Sequence, residues 1–219
     1  MTLELFTLSG SPYGWRVQLA LEYKRVPYTL HVLSVSAGDL KKPQHLARNP
    51  RGRVPVLVDG DFTLSESMAI VAYVDKRFPD PPLLGTSARE TGAIWRVISE
   101  YTSYLDDAVE HFILPIYFGR ASAEADAIRA AMTTIEAELR GYDAQLARTP
   151  WLVGDSLTAA DLVVFPHVMS VGRAASKEAA KPFAPPFHPL AHSFPNLARW
   201  VSSIEALPGY DRTYPPHWR

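Results

Sequence analysis

The chain reads SGSPYGWRV from Ser9 to Val17, directly after the alternating apolar and polar side chains of Leu3 to Leu8. That alternation predicts a short strand with one buried face. Ser11 is a preferred N-cap residue, and Pro12 suits the first helical position because its missing N–H would have no partner there. We therefore expect a strand, a turn and a helix whose N-terminal N–H groups and dipole favour an anion, such as a thiolate or a phosphate.

The composition narrows the classes of function. The chain has 219 residues, of which 47% are hydrophobic, and a formal net charge of -1. No basic stripe interleaved with aromatic residues is present, so neither a nucleic acid nor an anionic membrane is expected as a partner. The sequence contains no cysteine, which excludes disulfides and a cysteine nucleophile. Its N-terminus lacks the pattern of a signal peptide and no apolar run is long enough for a membrane span, which predicts a cytoplasmic location.

Two kinds of secondary-structure pattern divide the chain into two expected domains. Residues 1–80 alternate strand-like and helix-like segments, which is typical of an α/β fold. The segment from Phe78 to Pro82 is too rich in proline to continue a helix, so it is expected to end this domain. Residues 88–219 show long helical spacings and predict an all-α domain. After the first strand, further strands are expected at Tyr28–Leu33, Val54–Val58 and Phe62–Leu64.

Two other features favour structural roles. Thr158 and Asp161 have the spacing of a capping box before an apolar run, so we assign Asp161 to the helix cap and not to catalysis. His188 and His192 are four residues apart, but Pro189 and the loop composition argue against a helical pair of metal ligands. No metal site is predicted.

Four motifs follow one another along essentially the whole chain. They are Ser11 with Trp15-Arg16-Val17, Val54-Pro55 before a hairpin, Ser65-Glu66-Ser67 at a helix start, and Gly154 to Asp161 before an interior helix. In this order the chain resembles the cytosolic glutathione transferases, especially the serine-type zeta-like and theta-like classes. The tyrosine of tyrosine-type enzymes is replaced by Phe6, and the lack of cysteine excludes the cysteine-type classes. The resemblance implies a thioredoxin-like domain over residues 1–80 and a helical-bundle domain over residues 88–219.

The resemblance gives Ser11 the catalytic role. A free thiol has a pKa of about 8.5 and is only a few per cent thiolate at pH 7, so a fall of roughly two units makes the nucleophile dominant. The family pattern implies that the Ser11 hydroxyl stabilises the thiolate of bound glutathione and is not itself the nucleophile. From its position alone, a plain helix cap is the more frequent role for a residue such as Ser11, and the resemblance favours the role of donor. Ser9 is the second candidate for this donor, and Tyr13 is a more distant third.

Other parts of the glutathione site are expected on three segments. The resemblance implies a cis bond between Val54 and Pro55 that presents the Val54 backbone to the cysteinyl unit of glutathione, whereas an ordinary edge proline would make no such contact. Glu66 and Ser67 are expected in the first turn of the next helix, where they would take the γ-glutamyl amine and carboxylate. The alternative is that Glu66 only complements the helix dipole. Candidates for the glycyl carboxylate are Lys41 and Arg53, with Lys42 as a further one.

The resemblance implies that the helical domain shapes a pocket for a hydrophobic electrophile, and that the protein is a homodimer with glutathione as co-substrate. Aromatic residues at helical spacing are more often core than pocket, so both possibilities stay open for them. The candidates for this second-substrate pocket are Tyr13, Tyr104, His111, Phe112 and Tyr117, with Phe118 beside them.

Two alternatives to simple transfer are compatible with the same site. One is a glutathione-dependent isomerase of the maleylacetoacetate type, or an etherase or dehalogenase that cleaves its substrate. The other is a non-catalytic glutathione-binding or partner protein that keeps the fold without turnover.

Overall fold

A computed structural model describes residues 2–219, which fold into two compact units. The first unit contains the chain up to Leu84 together with Ala206–Arg219, and the second contains Gly85–Glu205. The first is a mixed α/β unit and the second is helical, so the predicted fold class is confirmed. No helix within residues 2–219 combines the length and the apolar character needed to cross a bilayer.

The first unit is built on a four-stranded sheet with the order β2-β1-β3-β4. The central strand β1 (Leu3–Leu8) pairs in parallel with β2 (Tyr28–Leu33) and antiparallel with β3 (Val56–Asp59), which in turn pairs antiparallel with β4 (Phe62–Ser65). The third strand begins two residues later than predicted, since Pro55 has no N–H to donate to the ladder.

Three helices accompany this sheet: α1 (Pro12–Tyr23), the short α2 (Pro43–Arg48) after a 3-10 turn at Asp39–Lys41, and α3 (Ser67–Arg77). A glycine sets how closely α1 approaches the central strand. A Cβ atom at Gly14 would lie 1.8 Å from the Thr7 hydroxyl oxygen. The N-terminal end of α1 can therefore rest against β1 only because this position has no side chain.

A buried lysine ties the end of α3 to the segment that leaves the α/β unit. The Nζ atom of Lys24 lies 2.7 Å from Oδ1 of Asp75 and donates to the carbonyl oxygens of Phe78 and Pro81 at 2.7 and 2.6 Å. The same carboxylate accepts the backbone N–H of Leu83 at 2.7 Å. Because the ammonium group is buried, these partners compensate for the loss of its hydration.

The second unit contains only helices among its described residues. They are α4 (Ala88–Glu100), a π-helical turn (Tyr101–Leu105), α5 (Asp106–Tyr117), α6 (Ala125–Leu146), α7 (Ala159–Ala175), a 3-10 helix (Glu178–Phe183), α8 (Leu190–Ser193) and α9 (Pro195–Glu205). The α7 helix is buried along most of its length and forms the centre of this unit.

The capping box predicted at the start of α7 is confirmed. The fully buried Asp161 carboxylate accepts the Thr158 N–H at 2.8 Å, the Leu152 N–H at 2.9 Å and the indole N–H of Trp200 at 2.8 Å. Burial raises the pKa of Asp161, although each of these hydrogen bonds acts to lower it. Asp161 thus connects the loop before α7, the α7 cap and α9.

The last residues of the chain differ from the sequence-based domain assignment, which placed all of residues 88–219 in the helical domain. Ala206–Arg219 pack with the α/β unit, through α10 (Tyr210–Thr213) and a 3-10 turn at Pro216–Trp218. The indole N–H of Trp15 donates to the Thr213 hydroxyl at 2.8 Å, and the Trp218 ring meets the Trp15 ring edge-on at 5.3 Å. Aromatic burial on α1 explains the placement, because these rings gain apolar contact there.

Candidate functional site

The hydroxyl of Ser11 lies at the N-terminus of α1, where the sequence placed the activating donor. Ser11 is the N-cap residue with an extended backbone (φ −67°, ψ 119°), and its Oγ accepts the Gly14 N–H at 3.3 Å. Its carbonyl accepts the Trp15 N–H at 2.8 Å as the helix begins. A hydroxyl can accept and donate at once, so the cap uses a lone pair of Ser11 and leaves its proton for an anion at the helix end.

Ser9 and Gly10 occupy the centre of the turn that leads into α1. The Ser11 N–H closes this turn on the Leu8 carbonyl at 3.1 Å. Gly10 has a φ of 80°, as the third position of a type II turn requires. The Ser9 side chain is exposed, and its Oγ lies 3.0 Å from Nδ1 of His217 in the C-terminal segment. The structure thus gives Ser9 a partner that the sequence did not indicate.

The bond between Val54 and Pro55 is cis, as the resemblance implies. The loop before it is held by two buried polar side chains. His45 Nε2 and Asn49 Nδ2 both donate to the Arg53 carbonyl, at 3.1 and 3.0 Å. These two hydrogen bonds fix the direction in which the Val54 backbone is presented.

The start of α3 has an unusual backbone. Glu66 has a φ of 70°, a left-handed conformation that is rare for residues other than glycine and is found where the surroundings impose it. Because of this conformation, α3 begins at Ser67 and Glu66 precedes the first turn instead of lying within it, which corrects the prediction. The Glu66 side chain makes no capping hydrogen bond, so the first N–H groups of α3 are available to an anion.

Ser67 is buried, and its Oγ accepts from Nη1 of the buried Arg16 at 3.4 Å. The guanidinium of Arg16 also lies 5.0 Å from the centre of the Tyr13 ring. A positive charge beside an uncapped helix N-terminus makes this corner of the unit suited to a carboxylate. The sequence motif contained Arg16, but no role was predicted for it.

The basic candidates for the glycyl carboxylate are all exposed. Lys41 ends the 3-10 turn, Lys42 forms an ion pair of 2.6 Å with Asp39, and the Arg53 side chain lies on the loop before Val54. The pKa of Asp39 is lowered, first by its hydrogen bond from Lys42 and then by the Ser34 N–H. Within residues 2–219 no group of three or more His, Cys, Asp or Glu side chains is placed to hold a metal ion.

Among the predicted second-substrate residues of the helical unit, Phe112 is buried and Tyr104, His111 and Tyr117 are exposed. The Phe112 side chain is 0% exposed and packs edge-on against Phe187 at 5.6 Å, so it belongs to the core and offers no surface to a ligand. Tyr104 is 61% exposed and lines a groove of about 380 Å³ that also contains residues of α4 and α6. His111 contacts Asp107 on its own helix, and Tyr117 accepts a hydrogen bond from Arg173 at 2.9 Å.

Comparisons with known proteins identify the family. The domain described as "Glutathione S-transferase, N-terminal domain" matches residues 5–82, and "Glutathione S-transferase, C-terminal domain" matches residues 105–208. A maize protein, Glutathione S-transferase 4, is 34% identical over 92% of this chain and 87% of its own length. The chain belongs to the glutathione S-transferase family.

Other members of the glutathione S-transferase family agree over almost the whole chain. Glutathione S-transferase Z2 of Arabidopsis thaliana is 27% identical, over 97% of this chain and 91% of its own length. The crystal structure of a glutathione S-transferase from the Antarctic clam Laternula elliptica superposes with a TM-score of 0.84 at 26% identity, covering 100% of this chain and 94% of that one.

Sequence reasoning missed two groups of residues that lie next to the candidate site segments. His45 lies in the short polar helix α2 and Asn49 directly follows it, and no periodicity reveals the burial of either side chain. Thr213, His217 and Trp218 lie in a proline-rich tail, where no regular pattern indicates the side that packs. Gly14 was a detectable signal, because a glycine inside a helical pattern indicates a close approach.

Proposed function

We propose that this protein transfers glutathione to a hydrophobic electrophile, with Ser11 as the residue that stabilises the glutathione thiolate. The observation that carries the proposal is the Ser11 hydroxyl at the N-terminus of α1, with its lone pair engaged by the Gly14 N–H. A hydroxyl donor and the positive end of the helix dipole both favour the charged form of the thiol. Family membership supports glutathione as the source of that thiol.

The two ends of glutathione would bind on either side of the sulfur. The start of α3, with Ser67 and the nearby Arg16, suits the γ-glutamyl carboxylate, and the Glu66 carboxylate suits the adjacent amine. The Val54 backbone would pair with the cysteinyl unit as an added strand does. The glycyl carboxylate would then take a solvent-exposed cation, for which Lys41 and Arg53 are the candidates.

In the proposed reaction, the thiol proton passes to solvent and the sulfur forms a bond to the electrophilic carbon. The electron pair of the broken bond leaves with the departing group. If the electrophile is an activated alkene, the electron pair of its π bond enters the conjugated system, which then takes up a proton from solvent. Holding both reactants together replaces a bimolecular encounter, and the site stabilises charge before the attack. The electrophile pocket is proposed to include Tyr13, Tyr104, His111 and Tyr117. A homodimer and a cytoplasmic location also stay predictions.

An isomerase is the second candidate function. The likeness to Glutathione S-transferase Z2 and the Ser11 to Val17 motif favour it. In that reaction the thiolate adds to a cis double bond, the bond rotates and the thiolate leaves again, so glutathione is regenerated.

Product analysis tests the proposed function. Purified protein is incubated with glutathione and an aryl halide, and the thioether and the released halide are quantified by mass spectrometry and ion chromatography. We expect equal amounts of both with the wild type and at least a tenfold lower rate with Ser11→Ala. Tight glutathione binding without thioether from any of several electrophiles, and with no isomerisation of a maleyl substrate, would contradict catalysis and favour a binding protein.

A further inference from the structure

The C-terminal segment contacts the sequence motif of α1 on the side before Ser11. The His217 imidazole reaches Ser9 Oγ with Nδ1 at 3.0 Å. The same ring covers Gly10, since a Cβ atom built there would lie 3.0 Å from its Cε1 and 3.2 Å from the indole nitrogen of Trp218. The turn that precedes the N-cap is therefore covered by two rings from the other end of the chain.

The same segment also contacts the motif on the side after Ser11. Trp15 is almost fully buried, donates to the Thr213 hydroxyl, and meets the rings of Tyr214 and Trp218 edge-on at 6.0 and 5.3 Å. Its backbone N–H donates to the Ser11 carbonyl at 2.8 Å. Ser11 thus lies between two positions, Ser9 and Trp15, that are both held by residues 213–218.

Gly10 explains why the turn needs this support. A glycine at the third position of a turn adopts positive and negative φ with similar ease, so the peptide between Ser9 and Gly10 has two accessible orientations. The Ser9 hydrogen bond to His217 and the rings over Gly10 favour the observed one. A turn that changes orientation freely would leave the entrance to α1, and with it the Ser11 hydroxyl, less well ordered for an anion.

We propose that His217 is a positioning residue of the glutathione site, which orders the Ser9–Ser11 turn through the hydrogen bond between its Nδ1 and Ser9 Oγ. This inference rests on the proposed function, in which Ser11 stabilises the thiolate. It makes the C-terminal segment a part of the thiol-activating machinery, although the sequence placed that segment in the other domain.

Two substitutions separate the hydrogen bond of His217 from its ring packing. His217→Phe keeps a flat ring over Gly10 but cannot bond to Ser9, whereas His217→Asn loses the ring but can place an amide group where Nδ1 was. The pKa of glutathione bound to each protein is measured from thiolate absorbance, together with kcat and KM for glutathione. Matched controls are His192→Phe and His192→Asn, at an exposed histidine of the helical unit.

We expect His217→Phe to raise the bound-thiol pKa by at least about half a unit, a roughly threefold change in the thiolate-to-thiol ratio. When kcat is measured at a pH below the bound-thiol pKa, we expect it to fall in proportion to the thiolate fraction, while KM for glutathione changes less than twofold. His217→Asn raises the bound-thiol pKa less than His217→Phe does, and both His192 variants match the wild type. A wild-type pKa for His217→Phe, or a loss in His217→Asn equal to that in His217→Phe, would overturn the inference.

Ser9→Ala removes the same hydrogen bond at its other end. Because this variant leaves the C-terminal segment unchanged, it separates loss of the bond from a folding defect in that segment. It is expected to raise the bound-thiol pKa by as much as His217→Phe, and the double variant to raise it no further. Additive rises would overturn the inference. If the wild type itself leaves the thiol pKa at its free value, the proposed function fails. If the wild type lowers the thiol pKa and the variants lower it equally, only the role of His217 fails.

Discussion

The Gly14 N–H donates to the Ser11 hydroxyl oxygen at 3.3 Å, at the first turn of the helix that faces the candidate thiol site. The contact joins two roles that the sequence presented as alternatives, a helix cap and an anion donor. Because the cap uses only a lone pair, the hydroxyl proton is left for a bound thiolate. Gly14 makes the arrangement possible, since any side chain there would collide with Thr7 on the central strand.

Glutathione affinity should depend on Ser67. Its hydroxyl lies at the uncapped start of α3 beside the Arg16 guanidinium, where we propose the γ-glutamyl carboxylate binds. Ser67→Ala should weaken glutathione binding about tenfold, the effect of one hydrogen bond to a charged group. Titration calorimetry gives the dissociation constant, with the exposed Ser203→Ala as control. An unchanged constant would show that the carboxylate binds elsewhere.

Stability of the helical unit should depend on Asp161. Replacing it with alanine leaves the N–H groups of Leu152 and Thr158 and the indole N–H of Trp200 buried without their acceptor. We expect Asp161→Ala to lower the free energy of unfolding by about 3 kcal/mol or more. The exposed Asp155→Ala should change it by about 0.5 kcal/mol at most. Urea unfolding measures both, and equal midpoints for the two variants would refute the role.

Lys24 should contribute to the stability of the α/β unit about as much as Asp161 contributes to that of the helical unit. Lys24→Met removes the buried ammonium, so the Asp75 carboxylate loses its ion-pair partner and the carbonyl oxygens of Phe78 and Pro81 lose their donor. A loss of about 3 kcal/mol in the free energy of unfolding is expected, with faster proteolysis near Pro81. Lys76→Met, at an exposed position of α3, is the control. Proteolysis rates that are the same in both variants would argue against Lys24 as the anchor of this segment.

Stability at high pH should reflect Tyr28. Burial, and then the charge of Glu22, raises the pKa of Tyr28 to about 12, above its ordinary value of 10.0. The unfolded chain releases this proton near pH 10 and the folded chain near pH 12, so unfolding is favoured increasingly across that interval. The contribution of Tyr28 is fully present below pH 10 and is lost as the pH rises through 12.

Tyr28→Phe cannot ionise, so its unfolding free energy should fall less steeply between pH 10 and 12 than that of the wild type. Denaturant titrations at several pH values give the slopes, and the exposed Tyr104→Phe should follow the wild type. Parallel curves for wild type and Tyr28→Phe would mean that the Tyr28 hydroxyl ionises equally in both states.

The sequence predicted the strands of the sheet well, but it did not predict how the C-terminal segment packs. The bounds of strands Leu3–Leu8 and Tyr28–Leu33 match the predictions residue for residue, because alternating apolar and polar side chains are typical of a strand. The prediction of one buried face for Leu3–Leu8 is wrong, since Phe6 and Thr7 are buried on both faces of this central strand. The C-terminal residues gave no such signal. Tyr214 and Trp218 lie among prolines without periodicity, so their packing against Trp15 follows from tertiary structure alone.

Some features of the candidate site could be predicted from the sequence and others could not. Ser11, Pro55 and Ser67 were singled out through the family resemblance, and the structure gives them the backbone settings that it implies: a helix N-cap, a cis bond and the start of a helix. The left-handed backbone of Glu66 could not be predicted, since nothing about a glutamate indicates a positive φ. Helical spacing also cannot distinguish the core ring of Phe112 from the exposed ring of Tyr104.

The most direct test of the central claim is a pH titration of thiolate absorbance for glutathione bound to the wild type and to Ser11→Ala. We expect the wild type to lower the thiol pKa by roughly two units from its free value of about 8.5, and Ser11→Ala to return it most of the way. Turnover of an aryl halide should fall in parallel. Glutathione that binds to both proteins with the same thiol pKa would contradict the account, because the Ser11 hydroxyl would then contribute nothing to the thiolate.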